Sequence, residues 1–158
     1  MTLSHLQTLA ELIGLLIVAG TLVFLAIRMR QNRTYKVALG ISLMTALLVL
    51  WINLAVGIIG EPDNLANLMY VGVLVVGIVG AIIAWFQPLQ MAIALFATAV
   101  AQILVASITA ILRLGFPPTP SQSLLILNAV LIGLWVGSAL LFRKAAREQN
   151  GADAIPER

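Results

Sequence analysis

The chain contains five long apolar stretches, and short segments rich in proline, glycine, amide or charged residues separate them. The stretches cover residues 6–27, 37–59, 68–86, 91–112 and 124–142. A helix of about 20 apolar residues crosses the hydrocarbon core of a bilayer, and each stretch has about that length. Because lipid offers no hydrogen-bond partners to an open backbone, such runs predict helices. The sequence therefore predicts an all-α polytopic membrane helix bundle with five transmembrane helices.

The composition agrees with a lipid environment and removes several kinds of chemistry. Hydrophobic residues make up 61% of the chain and charged residues 9%, whereas a soluble domain carries roughly 25% charged residues. The chain has no cysteine and one histidine, His5, so thiolate metal sites, disulfides and cysteine nucleophiles are excluded. No phosphate-binding loop or hydrolase motif occurs. We therefore expect no catalytic residues, no cofactor, no metal and no enzymatic activity.

The distribution of basic residues predicts how the helices cross the membrane, because Lys and Arg concentrate in cytoplasmic loops. Eight of the nine lie either between the first two stretches or after the fifth, and only Arg113 lies elsewhere. An odd number of spans puts these two regions on one side. The sequence predicts an outer N-terminus, a cytoplasmic C-terminus and a basic inner face. The residues predicted at that inner face are Arg28, Arg30, Arg33, Lys36, Arg143, Lys144 and Arg147.

Four segments of the chain carry a resemblance to known proteins: Trp-Ile-Asn-Leu-Ala-Val-Gly-Ile-Ile-Gly at 51–60, Pro-Asp-Asn at 62–64, Asn-Leu-Met-Tyr at 67–70 and Leu-Phe-Arg-Lys-Ala-Ala-Arg at 141–147. Through these segments the chain resembles a group of small, uncharacterised four-helix bacterial inner-membrane proteins. The resemblance extends over residues 36–147, about 70% of the chain. The inner hairpin of that group is usually basic, whereas this chain has Gln87 and Gln90 there. The resemblance implies the bacterial inner (plasma) membrane, and the group has no established activity.

The resemblance also divides the chain into three parts. Residues 1–35 look like an added N-terminal transmembrane anchor helix followed by a basic loop. The anchor is predicted to be retained, since it lacks a basic segment before it and a small-residue cleavage site after it. Residues 36–147 are the predicted four-helix membrane core. Residues 148–158 are predicted to form a disordered cytoplasmic tail, because they are polar and contain glycine and proline.

Three amides, Asn53, Gln102 and Asn128, lie deep within apolar stretches. One interpretation is a polar path or cavity open to the outside. The other is interhelical hydrogen bonding, which is worth about 0.6 kcal/mol per contact in membranes. Four charged residues are predicted at the outer face, where they would rim such a cavity, pair, or lie at headgroup level. These candidate outer-face charges are Glu11, Glu61, Asp63 and Arg113.

Small residues recur at helical spacing in two of the stretches, which lets helix backbones approach each other closely. The third stretch has Gly77, Gly80, Ala81 and Ala84, and the fifth has Gly133 and Gly137 in a GxxxG pattern. The pattern is typical of packing within one bundle, and dimerisation is the alternative. Both remain open from the sequence.

Three functions are compatible with these residues. The sequence favours a non-catalytic accessory or structural membrane module, because charged residues are rare in the apolar stretches. The alternative is a small oligomeric transporter or channel that uses the three amides. An enzyme with an outer carboxylate as base ranks last. The expected partners are membrane lipids, including anionic inner-leaflet lipid, and a homo-oligomer or a larger membrane complex. No nucleic-acid partner is expected, because the basic residues flank apolar stretches.

Overall fold

The computed structural model describes residue 20 and residues 32–55, 68–112 and 122–153. Within these ranges the backbone forms four α-helices and no β-strand. They are α1 (Arg33–Ala55), α2 (Leu68–Ile83), α3 (Pro88–Ile111) and α4 (Gln122–Asp153). The chain divides into two compact units, residues 1–32 and 33–158. The predicted all-α class is confirmed for the described residues.

Three of the four helices are long and apolar enough to cross a membrane. The qualifying spans are Arg33–Asn53, Pro88–Ile111 and Leu125–Ala152. The helix α2 is apolar but has 16 residues, and it is about 24 Å long at 1.5 Å per residue. This described length is shorter than a hydrocarbon core of about 30 Å, and it begins at Leu68, the first residue that the structure describes after position 55. The structure therefore supports three membrane-spanning helices where five were predicted, and the first predicted stretch, residues 6–27, lies outside the described residues except for Gly20.

The helix ends differ from the apolar boundaries because apolarity marks the lipid-exposed length and not the helix itself. The helix α1 begins at Arg33, before the predicted start at Val37. The helix α4 continues through Asp153, beyond the predicted end at Phe142 and into the segment for which disorder was predicted. This extension is rich in Arg, Lys, Ala, Glu and Gln, which are good helix formers. An i,i+4 ion pair of 3.9 Å between Lys144 and Glu148 lies on it.

The turn between α2 and α3 has an unusual backbone. The φ angles of Trp85 and Phe86 are 45° and 56°, in the left-handed region that costs most residues roughly 1–2 kcal/mol. The third predicted stretch extended to Phe86, and the helix ends before it because these residues reverse the chain. Gln87 follows as the N-cap of α3, and Pro88 occupies the first turn, where its missing N–H loses no helical bond.

The helix α4 is the central helix of the described bundle. It packs against α1 and α3, α3 also packs against α2, and the contact between α1 and α2 is smaller. At one end of the bundle, Val49, Tyr70 and Leu131 form a buried apolar cluster. At the other end, the rings of Tyr35 and Phe142 meet edge to face with centroids 5.0 Å apart. These two contact sets show that α1 and α4 run antiparallel.

Glycines of α2 let it approach α3 closely. A Cβ atom added at Gly80 would lie 2.8 Å from the Cβ of Ala94, and one added at Gly77 would lie 3.3 Å from the Oγ1 of Thr98. In the same stretch Ala84 is buried and Ala81 is half-buried. Gly77 and Gly80 therefore lie at a close contact between two helices of the same chain.

The glycines of α4 have different surroundings. An added Cβ atom at Gly133 or Gly137 would meet nothing within 4 Å. The GxxxG face of α4 is consequently not used for close packing among the described helices, and dimerisation, the alternative interpretation of this motif, stays open.

Candidate functional site

Buried polar side chains extend along α1, α3 and α4. On α3, Thr98, Gln102 and Thr109 are four and seven residues apart, which puts them on one face of the helix. We refer to the whole set as the buried polar residues. They are Ser42, Thr45, Asn53, Thr98, Gln102, Thr109, Asn128 and Ser138. All three amides predicted as candidates belong to this set.

Asn128 is bound to the first turn of α2. The Tyr70 hydroxyl donates a hydrogen bond of 3.0 Å to the Oδ1 of Asn128, and both side chains are buried. Asn128 therefore forms a polar connection between α4 and α2 at one end of the bundle.

Gln102 connects α3 to the middle of α4. Its side chain is 0% exposed, and its Oε1 accepts a hydrogen bond of 2.8 Å from the indole Nε1–H of Trp135. Because an indole nitrogen is a donor only, this bond fixes the orientation of the amide. The Nε2 of Gln102 has no acceptor among the described residues. A buried donor without a partner costs roughly 1–3 kcal/mol.

Four hydroxyls of the set bind backbone carbonyls of their own helices. Ser42, Thr45, Thr98 and Thr109 donate hydrogen bonds of 2.8 to 2.9 Å to carbonyls three or four residues earlier. Ser138 instead donates to the backbone oxygen of Ala38, at 2.6 Å, and so connects α4 to α1. These protons are committed to the protein, which leaves the hydroxyls poor donors for a passing solute.

Two of the three amides are fixed by side chains of other helices. Asn128 binds Tyr70 and Gln102 binds Trp135; Asn53, toward the end of the described α1, is 6% exposed and also has an interaction partner. None of them lines either of two grooves found on the described helices. One groove of about 370 Å³ lies along α1 and the other, of about 360 Å³, lies between α2 and α3; both are lined by apolar residues.

Several candidates cannot be placed. The outer-face charges Glu11, Glu61, Asp63 and Arg113 lie outside the described residues, and so do Arg28 and Arg30 of the inner-face set. In the part of the chain that the structure describes, no group of three His, Cys, Asp or Glu side chains is placed to hold a metal ion.

The remaining inner-face basic residues lie at one end of the bundle. Arg33 and Lys36 are at the start of α1, and Arg143, Lys144 and Arg147 are in the last part of α4, all exposed. The contact of Tyr35 with Phe142 brings the two helix ends together. Two regions far apart in sequence thus share one surface.

Sequence reasoning missed Tyr35, which is fully buried although it lies between Arg33 and Lys36. Its hydroxyl donates a hydrogen bond of 2.8 Å to the backbone oxygen of Phe86, and this bond ties α1 to the strained turn. A tyrosine beside basic residues is typical of the membrane interface, so the pattern held no signal for a buried position.

Replacing Tyr35 with phenylalanine is expected to lower the free energy of unfolding by about 0.5–1.5 kcal/mol. The ring contact with Phe142 is kept, but the turn loses its donor. Reversible unfolding in mixed detergent micelles measures the change. Ser107→Ala is the control, because Ser107 is exposed and its hydroxyl bonds to the backbone oxygen of Ile103 in its own helix. Equal stabilities of Tyr35→Phe and the native chain would contradict the role of this bond.

The described geometry holds helices together through polar side chains and brings basic residues to one end. Comparison with known proteins adds no family assignment: no protein-family model, no curated protein and no solved structure matches the chain.

Proposed function

We propose that the chain is a multi-pass integral protein of the bacterial inner membrane, with five transmembrane helices, an outer N-terminus and a cytoplasmic C-terminus. Three helices of spanning length support a membrane location. The excess of basic residues on one side, eight against one, supports the orientation. The start of α1 and the end of α4 lie together, as this topology requires. Resemblance of residues 36–147 to small bacterial membrane proteins supports the compartment.

Within that topology, the proposed function is that of a non-catalytic accessory or structural membrane module. One observation carries the proposal: the oxygens of Gln102 and Asn128 accept hydrogen bonds from Trp135 and Tyr70 across helix interfaces. Amide oxygens that accept hydrogen bonds in this way support helix packing and are occupied by the protein's own donors. The proposed partners of the accessory module are membrane lipid and a larger membrane complex, whereas a second copy is the partner that the alternative below requires. The Gly133 and Gly137 face of α4, which no described helix covers closely, is available to either.

The experiment that tests this proposal is the mass and composition of the native complex, extracted gently from its own membrane. An accessory module is expected to leave the membrane bound to a larger assembly, and that assembly names the process it serves. Recovery of the chain alone, or only as a small homo-oligomer, would contradict the accessory proposal and favour the alternative.

The alternative is a small oligomeric transporter or channel that uses Asn53, Gln102 and Asn128 as a polar path. One observation favours it: the Nε2 of Gln102 is a buried donor without an acceptor among the described residues. A passing solute or a water molecule would satisfy that donor.

Replacing Asn53, Gln102 and Asn128 together with leucine separates the two functions. For a packing module we expect the loss of at least roughly 2 kcal/mol of stability, because the buried donors of Trp135 and Tyr70 each lose their acceptor at about 1–3 kcal/mol, and no change in solute leakage from vesicles. Leakage of small dyes and ions from proteoliposomes gives the readout. Met44→Leu, at an exposed position of α1, is the control. A flux present with the native chain and lost in a folded triple variant would overturn the module.

A further inference from the structure

The end of the bundle that carries Arg33, Lys36, Arg143, Lys144 and Arg147 is more than a row of positive charges. Contacts continue from these residues to the α2–α3 turn: Phe142 meets Tyr35, and the Tyr35 hydroxyl binds the backbone oxygen of Phe86. The exposed ring of Trp85 therefore lies at the same end as the basic residues. We call Trp85 and these five basic residues the basic end.

The backbone conformation of Trp85 is energetically unfavourable for the protein on its own. Its backbone is in the left-handed region, where a glycine would avoid roughly 1–2 kcal/mol of strain. Its side chain is 82% exposed, so contacts within the chain do not offset that cost. Tryptophan rings are favoured at the headgroup level of a bilayer. An indole held in this way gains its stabilisation from the membrane surface.

The charge of the basic end is only partly compensated. Glu148 lies 3.9 Å from Lys144 and offsets one positive charge. The turn beside Trp85 carries Gln87 and Gln90, which add none. The side chains of Arg33, Lys36, Arg143 and Arg147 are exposed. Three of these four are arginines, and a planar guanidinium group can donate two parallel hydrogen bonds to one phosphate.

We propose that the basic end binds anionic phospholipid, with headgroup phosphates on the basic side chains and the Trp85 indole in the interface between headgroups and acyl chains. The inference rests on the proposed membrane function and not on the proposed orientation. Each juxtamembrane basic residue raises the binding constant for anionic lipid about five-fold. A surface of several such residues is therefore expected to select anionic over zwitterionic lipid.

The test uses the full chain in vesicles of brominated phosphatidylglycerol or brominated phosphatidylcholine, whose bromines quench tryptophan fluorescence. The ratio of the two binding constants follows from quenching in mixtures. We expect the native chain to prefer phosphatidylglycerol, and Arg143→Gln with Arg147→Gln to lower that preference by up to about five-fold per charge. Glu148→Gln is expected to raise it. Ser107→Ala, an uncharged change elsewhere, is expected to leave it unaltered.

The indole is tested separately with phospholipids that carry a spin label on the headgroup. Trp85→Phe is expected to remove most of the quenching that this shallow label causes in the native chain. If the quenching stays, Trp85 does not lie at the interface and the proposal is overturned.

The outcomes keep the two proposals apart. Failure of the chain to float with vesicles would overturn the proposed membrane function. A chain that floats but binds both lipids equally, or whose preference is the same in all charge variants, would overturn only the lipid proposal. Loss of the preference in soluble inorganic phosphate at matched ionic strength would also overturn it, because the site would then be selective for free phosphate.

Discussion

Replacing Trp135 with alanine is expected to lower the free energy of unfolding by about 3–5 kcal/mol, the cost of deleting a buried aromatic ring. Trp135 is 2% exposed on the central helix. Its ring fills the interface with α3, and its indole N–H satisfies the oxygen of Gln102. Unfolding in mixed detergent micelles, followed by circular dichroism, measures the loss. A loss of stability below about 1 kcal/mol would contradict the conclusion that Trp135 lies in the core of the bundle.

A double-mutant cycle isolates the hydrogen bond from the packing. Trp135→Phe leaves the Gln102 amide without its donor, and Gln102→Leu leaves the indole N–H without its acceptor; each is expected to cost about 1–3 kcal/mol. Removing both partners together is expected to cost clearly less than the sum, since no polar group then stays buried and unpaired. Strict additivity of the two single changes would show that the bond contributes nothing to stability.

Replacing Gly80 with alanine is expected to destabilise the bundle by about 1–3 kcal/mol, the usual cost of overpacking. The added Cβ would lie 2.8 Å from the Cβ of Ala94 and 3.4 Å from its Cα. Backbone atoms do not move aside cheaply, so α2 and α3 must separate. The same unfolding assay measures the effect.

Gly72→Ala is the matched control for the Gly80 change. It makes the same chemical alteration in the same helix, where the added Cβ meets nothing within 4 Å. Alanine is the better helix former by up to about 1 kcal/mol, so we expect equal or slightly higher stability. Equal effects at the two positions would contradict the close approach of α2 to α3.

The features of the fold that depend only on apolar residues could be predicted from the sequence. The helical class follows from the length of the apolar stretches, and three of them form helices of spanning length. The small residues of the third stretch, Gly77 with Ala81 and Gly80 with Ala84, predicted close helix packing, and Gly77 and Gly80 do lie against α3. The burial of Gln102 and Asn128 also follows from their positions, because an amide avoids a lipid-facing site.

What depends on contacts between distant residues could not be predicted. Nothing local indicates that the Tyr35 hydroxyl reaches the carbonyl of Phe86, since the two are 51 residues apart. The choice of Trp135 as partner of Gln102 depends on the register between α3 and α4, which composition does not encode. The left-handed backbone at Trp85 could not be predicted either, because it is not formed by a glycine or an asparagine, the residues that usually adopt it. The α4 helix continues beyond its apolar part because helix propensity, and not apolarity, governs that segment.

The five-span topology is tested most directly by labelling single cysteines in cells, because the chain contains no cysteine of its own. The substitutions are Ser4→Cys, Gln31→Cys, Asn64→Cys, Gln87→Cys, Thr119→Cys and Gln149→Cys, each in a separate variant. A maleimide that cannot cross membranes is expected to label positions 4, 64 and 119 in intact spheroplasts, and the other three only after permeabilisation. Labelling of positions 4 and 31 from the same side would contradict the first span and the account of the topology.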